Sequence, residues 1–172
     1  MSVTTSVKKA VRNVEKVVTG EEPQVDILDT LKEEHELVSG LLERLVESEK
    51  SAERKSILRQ IRAALVPHVK AEQKILYDAI IAVKDKKAQQ DGEEGYIEHA
   101  LASQTLQDLG KIRNAMSPEF GAAAKVLKEL VEHHVREEES NVWSDARDHF
   151  NSDERKAMNR RYLTEKKKVR VT

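Results

Sequence analysis

A histidine and a glutamate interrupt an apolar stripe in the middle of the chain, and this stretch constrains the fold most. His68 and Glu72 are four residues apart, so they lie on one face of an α-helix. The apolar residues that share this face by helical spacing are Ile57, Ile61, Ala64, Ile75 and Ala79. An imidazole and a carboxylate therefore occupy core positions. Because buried groups of this kind are paired with each other or coordinate a metal, one such pair leaves both interpretations open.

The composition favours long helices around a single core. The chain has 172 residues, of which 35% are charged and 3% aromatic, and a length of this order suits one domain. Cysteine is absent, which excludes disulfides and thiolate chemistry and leaves His, Asp and Glu as the metal-ligand types. The net charge of −1, with mixed signs, does not indicate a nucleic-acid-binding surface. Since the sequence also shows no membrane-spanning run and no secretory signal, we expect a cytoplasmic protein.

Helical spacing predicts a bundle of four long helices with a short helical extension at each end. We divide the chain into an amphipathic segment over 1–22, a four-helix bundle over 26–150, and a charged helix and tail over 151–172. Polar, glycine-bearing residues 84–95 are predicted to form a solvated loop, followed by the third bundle helix over 94–114. The first segment is expected to lie on the bundle or to fray, with a dimer interface or a membrane surface as the alternative. A homo-oligomer thus stays open.

The histidines and glutamates of the predicted core form an internal repeat. A helix with one inward histidine precedes a helix with His-x3-Glu, and this unit occurs twice, first as His35 with His68 and Glu72, then as His99 with His134 and Glu138. Two helical hairpins related by a pseudo-twofold axis form an all-α, up-and-down four-helix bundle with these six groups pointing inward. Without a metal, four histidines and two glutamates in one core would carry a large desolvation penalty.

Ligand type and symmetry indicate two metal ions rather than one. Imidazole and carboxylate ligands suit iron, zinc, copper or manganese, whereas calcium and magnesium prefer oxygen ligands alone. Each hairpin would supply two histidines to its own ion, and Glu72 and Glu138 would bridge the two ions. Each ion would then keep an open position for water, dioxygen or peroxide.

The stretches around these positions resemble the hemerythrin-like, HHE cation-binding domain. They are Leu-Lys-Glu-Glu-His35, His68-Val-Lys-Ala-Glu72, Glu98-His99 and His134-Val-Arg-Glu-Glu-Glu-Ser-Asn-Val-Trp, and the resemblance covers about residues 26–150. It implies a non-haem di-iron centre, oxo- or hydroxo-bridged, with the six residues of the repeat as metal ligands. Oxygen-carrying members look to have a further histidine where this chain has Ser103. That departure implies more peroxide or redox reactivity and less faithful reversible oxygen carriage.

The resemblance implies a protein that binds or reacts with a small ligand, namely dioxygen, peroxide or nitric oxide. Its setting would be oxidative or nitrosative stress, or iron handling. Two alternatives stay open: a sensory or binding module that responds to iron or oxygen without turnover, and a metal-free bundle that acts as a scaffold.

Helical spacing also predicts roles for five further side chains near the repeat. Ser103 and Tyr96 are expected to line the open coordination position, and Asp145 to hydrogen-bond a ligand from outside. Tyr77 and Trp143 fall on helix faces away from the ligands, so we expect them only to pack.

Overall fold

Helices account for every regular element in residues 24–171, the part of the chain that the computed structural model describes. The five helices are α1 Ile27–Glu47, α2 Ser51–Glu72, α3 Lys86–Lys111, α4 Pro118–Glu137 and α5 Ser152–Lys168. α2 continues through a π-helical turn into a short helix that ends at Ile81, and α4 continues in the same way to His149. The first four helices pack as an up-and-down bundle, which confirms the predicted all-α fold, and α5 packs on α1 and α2. The amphipathic segment predicted over 1–22 lies outside the described residues.

Polar side chains determine where the helices begin. Asp26, Ser117 and Asn151 each accept a hydrogen bond from a backbone N–H in the first turn of α1, α4 and α5. In α5 the backbone N–H of Asn151 also donates to Glu154, which completes a capping box. Among the helices of residues 24–171, none combines the length and apolar content that crossing a bilayer requires.

A polar layer divides the core into two apolar clusters. The first cluster includes Val38, Leu42, Ile61, Leu106, Phe120 and Leu127. The second includes Leu31, Leu76, Tyr77, Ile80, Trp143 and Tyr162. The six residues of the His/Glu repeat lie between these clusters, and none of them is more than 5% exposed. The bundle therefore encloses its polar layer with hydrocarbon on both sides.

The predicted loop over 84–95 is wrong, because most of it forms the beginning of α3. The helix begins at Lys86, and Gly92 and Gly95 are buried within it. A Cβ atom added to Gly95 would lie 2.7 Å from the ring of Tyr77. These glycines therefore allow α3 to approach the end of α2 closely, and they do not mark a chain reversal.

α5 is attached to the bundle by buried side chains. The sequence predicted a charged helix and tail over 151–172, and the helix spans Ser152–Lys168. Asn159 and Tyr162 are buried, and the Asn159 side-chain amide donates a hydrogen bond to the Val25 carbonyl at 3.1 Å. α5 therefore belongs to the packed structure and reaches the polar layer through Tyr162.

Replacing Gly95 with alanine should destabilise the fold, because the added methyl group would meet the Tyr77 ring. We expect the free energy of unfolding to fall by about 1–3 kcal/mol, as in other overpacked cores. Gly40→Ala is the matched control: Gly40 lies within α1, no atom comes within 4 Å of its added Cβ, and helix propensity predicts a gain of up to about 1 kcal/mol. Urea unfolding measures both changes. A Gly95→Ala protein as stable as the wild type would contradict this packing.

Candidate metal centre

A π-helical turn follows the His-x3-Glu motif on α2 and again on α4. These turns span Gln73–Tyr77 and Glu138–Val142. Each holds an extra residue relative to an α-helical turn, so the residues after it are rotated by about 100° around the helix axis. Tyr77 and Trp143 consequently face the polar layer, with their rings 5.1 Å and 5.9 Å from those of two of its histidines. The expectation that both rings point away was wrong, because it assumed uninterrupted α-helices.

The six residues of the repeat converge on one buried site, which we call the cage. Its members are His35, His68, Glu72, His99, His134 and Glu138. Glu72 Oε2 lies 3.2 Å from Nε2 of His68 and 3.5 Å from Nε2 of His99. Glu72 thus stands between a histidine of its own hairpin and one of the other hairpin.

Glu138 occupies the corresponding place in the second hairpin. Its Oε2 lies 3.1 Å from Nε2 of His134 and 3.6 Å from Nε2 of His35. The two carboxylates therefore each contact both halves of the cage, the first with His35 and His68 and the second with His99 and His134. Bridging ligands require this placement.

The donor atoms of the cage form two groups that could each hold a metal ion. One group combines atoms of Glu72, His99, His134 and Glu138, and the other combines atoms of His35, His68 and Glu72; within each group the atoms lie within 4.8 Å of one another. Nε2 of His35, both oxygens of Glu72 and Oε2 of Glu138 are buried without a hydrogen-bond partner among the described residues. Unsatisfied buried groups of this kind are costly, so the donor set fits bound cations better than a purely polar core.

Two glutamates outside the cage accept hydrogen bonds from the Nδ1 side of its histidines. Nδ1–H of His68 donates to Glu34 Oε2 at 3.1 Å, and Nδ1–H of His134 donates to Glu98 Oε2 at 2.7 Å. These bonds leave Nε2 of each ring facing the cage, in the tautomer that metal-binding histidines use. The sequence signal for these partners is a Glu-His dipeptide on α1 and on α3, which belongs to the stretches that resemble the family, but no role was predicted for the glutamates.

A third outer glutamate shows where the repeat is imperfect. Nδ1–H of His35 donates to Glu139 Oε1 at 3.1 Å. The corresponding residue of the first hairpin is Gln73, and Nδ1 of His99 is buried without a hydrogen-bond partner among residues 24–171. The two halves therefore orient their histidines differently.

Trp143 fixes one of the carboxylates. Its indole N–H donates to Glu138 Oε1 at 3.0 Å, and its ring stacks on His35 with an interplanar angle of 13°. This bond engages the outer oxygen of Glu138 and leaves Oε2 for the cage.

Three sequence assignments around the cage are not borne out by the contacts. The Tyr96 hydroxyl donates to Asp78 Oδ1 at 2.7 Å. Ser103 lines a surface groove, and Asp145 lies 4.0 Å from Lys87. Asp145 follows the π turn of α4, which rotates it relative to α-helical spacing. Tyr96 and Ser103 lie on α3, a continuous α-helix, and their side chains contact other parts of the bundle.

α5 covers the first half of the cage. The Tyr162 hydroxyl donates to Glu34 Oε2 at 2.7 Å and lies 3.2 Å from Nδ1 of His68. Lys166 Nζ lies 2.5 Å from the same Glu34 oxygen. Burial alone would raise the pKa of Glu34, but His68 and Lys166 outweigh it and lower this pKa to about 2. Glu34 therefore stays ionised and holds His68 in place.

The second half of the cage is closer to solvent. Oε1 of Glu98 lies 3.3 Å from Nε2 of His133, whose side chain is 52% exposed. Beside Glu98 is a cavity of about 10 Å³, lined by Tyr77, Asp91, Glu94, Gly95, Glu98, His134, Glu137, Glu138, Asn141 and Val142. This volume is close to the smallest that accommodates one water molecule. Small ligands would reach the cage most directly from this side.

The charges of the cage determine where it carries protons. Burial alone would lower the pKa of His68 and of His134, but Glu72 and Glu138 outweigh it and raise these values to about 9 and about 10. Burial, together with the charge of Glu138, raises the pKa of Glu72 to about 7. Near neutral pH the metal-free cage therefore keeps protons that a metal ion would have to displace, so metal affinity should increase with pH.

Comparison with known families agrees with this geometry. Residues 26–143 match the model of the hemerythrin HHE cation-binding domain. The chain belongs to this family. The resemblance inferred from the sequence is thereby confirmed, and α5 lies beyond the matched residues. The hemerythrin family also accounts for the four-helix bundle and for a metal-binding cluster of histidine and glutamate.

A curated relative extends the comparison. The chain is 26% identical over 154 residues to a protein named DNA nickase from Nostoc sp. (strain PCC 7120 / SAG 25.82 / UTEX 2576). The alignment covers 89% of this chain but 43% of that relative, so the chain spans less than half of its length. No solved structure matches the chain significantly.

Substituting Tyr162 with phenylalanine should weaken metal binding, because the hydroxyl that supports Glu34 and His68 is lost. Changes to such outer partners typically lower metal affinity about 10- to 100-fold. Competition with a chelator measures this affinity, and Tyr96→Phe is the control, since its hydroxyl bonds Asp78 outside the cage. Equal affinities in the two variants would show that α5 does not support the metal centre.

Proposed function

We propose that the cage holds two non-haem iron ions, with His35, His68, Glu72, His99, His134 and Glu138 as their protein ligands. The observation that carries this proposal is the position of the two carboxylates. Glu72 and Glu138 each lie within 3.6 Å of one histidine from each hairpin, as carboxylates that bridge two ions would. The donor set by itself also suits zinc or manganese, and membership of the hemerythrin family favours iron.

The protein's part in this centre is to position ligands and to exclude water. Bound iron would supply redox chemistry and open coordination positions. Glu34 and Glu98 hold the proton on Nδ1 of His68 and His134 and make their Nε2 atoms better donors. The apolar clusters on both sides of the cage keep its dielectric low, which strengthens each charge–charge interaction inside it.

We further propose that the loaded protein binds or reacts with dioxygen, peroxide or nitric oxide, in oxidative or nitrosative stress or in iron handling. The cavity beside His134 and Glu138 has room for about one water-sized molecule, which limits the ligand to this class. Carboxylates of Asp91, Glu94 and Glu137 line it. Their negative potential favours cations and neutral ligands over anions.

A sensory or binding role without turnover is the alternative within the same chemistry. Here occupancy of the cage would change the contacts of α5, since Tyr162 and Lys166 both reach Glu34 behind His68. Steady-state consumption of peroxide by the iron-loaded protein separates the two roles. Turnover supports an enzymatic or protective function, and stoichiometric reaction supports a sensor.

Metal-dependent DNA cleavage is a second candidate, favoured by the similarity to the DNA nickase of Nostoc. It ranks second because the chain spans less than half of that relative and has a net charge of −1, which offers little attraction for phosphates. Incubation of iron-loaded wild type and Glu72→Ala with supercoiled plasmid tests it. Nicking by the wild type alone would move this function to first place.

Iron content of single variants tests the assignment of the ligands. We expect two irons per wild-type chain, a partial loss in each histidine variant, and a larger loss in each glutamate variant, because a bridging carboxylate serves both ions. The variants are His35→Ala, His68→Ala, Glu72→Ala, His99→Ala, His134→Ala and Glu138→Ala. His133→Ala is the control, since this exposed neighbour of His134 turns away from the cage and should keep its iron.

Iron analysis of the purified variants also defines what would contradict the proposal. Full retention of iron by either glutamate variant would exclude bridging by that carboxylate. A loss in His133→Ala as large as in His134→Ala would show that the ligands are misassigned.

A further inference from the structure

Tyr77 lies beside the cage with an uncommitted hydroxyl group. The side chain is completely buried, and its hydroxyl oxygen has no hydrogen-bond partner among the described residues. Its ring centroid lies 5.1 Å from that of His99. Because a buried hydroxyl without a partner is costly, its position calls for a partner that protein atoms do not supply.

The surrounding structure directs Tyr77 to this position. The π-helical turn Gln73–Tyr77 rotates the residue inward, and Gly95 of α3 leaves room for its ring. A Cβ atom at Gly95 would lie 2.9 Å from the Tyr77 hydroxyl oxygen. Burial, and then the charges of Glu138 and Glu72, raise the pKa of Tyr77, so its hydroxyl lies within the electrostatic field of the two cage carboxylates.

The internal repeat offers a direct comparison with Trp143. Tyr77 and Trp143 each follow the glutamate of their motif by five residues. The Trp143 N–H donates to Glu138 Oε1, but Tyr77 makes no such bond, and Glu72 Oε1 is buried without a partner as well. An indole N–H can only donate, whereas a phenol oxygen can also coordinate a metal. Tyr77 and Trp143 therefore occupy corresponding positions of the repeat, but only the tyrosine side chain can coordinate a metal.

Tyr77 lies against the second half of the cage, whose histidines are His99 and His134. Its ring stands against that of His99, and the residue lines the same small cavity as His134. A phenol oxygen is thus available beside the donor atoms of this half.

We propose that Tyr77 is a seventh protein ligand of the metal centre and that its oxygen binds the ion held by His99 and His134. This inference rests on the proposed di-iron function. Binding replaces the phenolic O–H bond with an O–iron bond, the proton leaves to water in the adjacent cavity, and no electron is transferred. A phenolate is a hard oxygen donor, and iron accepts tyrosine in other proteins.

The optical and resonance Raman spectra of the ferric protein test this ligand. The chain contains three tyrosines, so we compare full-length, iron-loaded wild type with Tyr77→Phe, Tyr96→Phe and Tyr162→Phe. We expect the wild type to show a visible tyrosinate-to-iron charge-transfer band and tyrosine ring vibrations enhanced by excitation into it. Tyr77→Phe should lose both signals and keep two irons per chain. Tyr96→Phe should keep the signals, and Tyr162→Phe, which we expect to bind iron more weakly and therefore load with excess iron, should keep them per bound iron.

Each other result decides against the inference. Wild type with two irons but no enhanced tyrosine vibrations would overturn it and leave the di-iron proposal intact. The same holds if the band persists in Tyr77→Phe, or if its intensity per bound iron is lost in Tyr96→Phe or Tyr162→Phe. Wild type that takes up no iron would overturn the di-iron proposal together with the inference. Where Tyr77→Phe fails to fold or to load, the other two variants give the decision. Enhanced tyrosine vibrations that persist per bound iron in both Tyr96→Phe and Tyr162→Phe assign the ligand to Tyr77, and their loss in either variant overturns the inference.

Discussion

Two carboxylates and four imidazoles lie in a buried layer between two apolar clusters, and the rest of the structure serves to keep them there. Glu72 and Glu138 are at most 1% exposed. Removing such groups from water costs several kcal/mol each unless charge and hydrogen bonds compensate. Protons compensate part of this cost in the metal-free cage, since carboxylates raise the pKa of His68 to about 9. Cations would compensate it more fully, because they would satisfy the oxygens and nitrogens that have no hydrogen-bond partner among the described residues.

The two halves of the cage have the same arrangement of ligands and supporting glutamates but differ in the residues around them. Glu34 and Glu98 support histidines at corresponding positions of the repeat. Behind Glu34, α5 adds Tyr162 and a lysine, whereas Glu98 contacts the exposed His133. The two halves of this approximately twofold cage therefore differ in exposure: α5 shields the first half from solvent, and the second half lies closer to solvent. That difference suits a centre in which one ion stays fixed while ligands approach the other.

Helical periodicity was sufficient to predict the bundle and the six residues of the cage, because none of these positions follows a π turn on its own helix. It failed for Tyr77 and Trp143, since one inserted residue rotates all that follow, and periodicity carries no sign of the insertion. Gly95 was misread as part of a loop because a glycine that allows close helix packing looks the same in a sequence as one that ends a helix. The contact between Tyr162 and Glu34 joins residues 128 positions apart, which local patterns do not reveal.

The central claim is that two ions lie in the cage, one in each half. X-ray diffraction from crystals of the iron-loaded protein, recorded above and below the iron absorption edge, tests it most directly. We expect two anomalous peaks, one next to His35 and His68 and one next to His99 and His134, with the carboxylates of Glu72 and Glu138 between them. A single peak, or peaks outside the cage, would contradict the di-iron centre proposed for this protein.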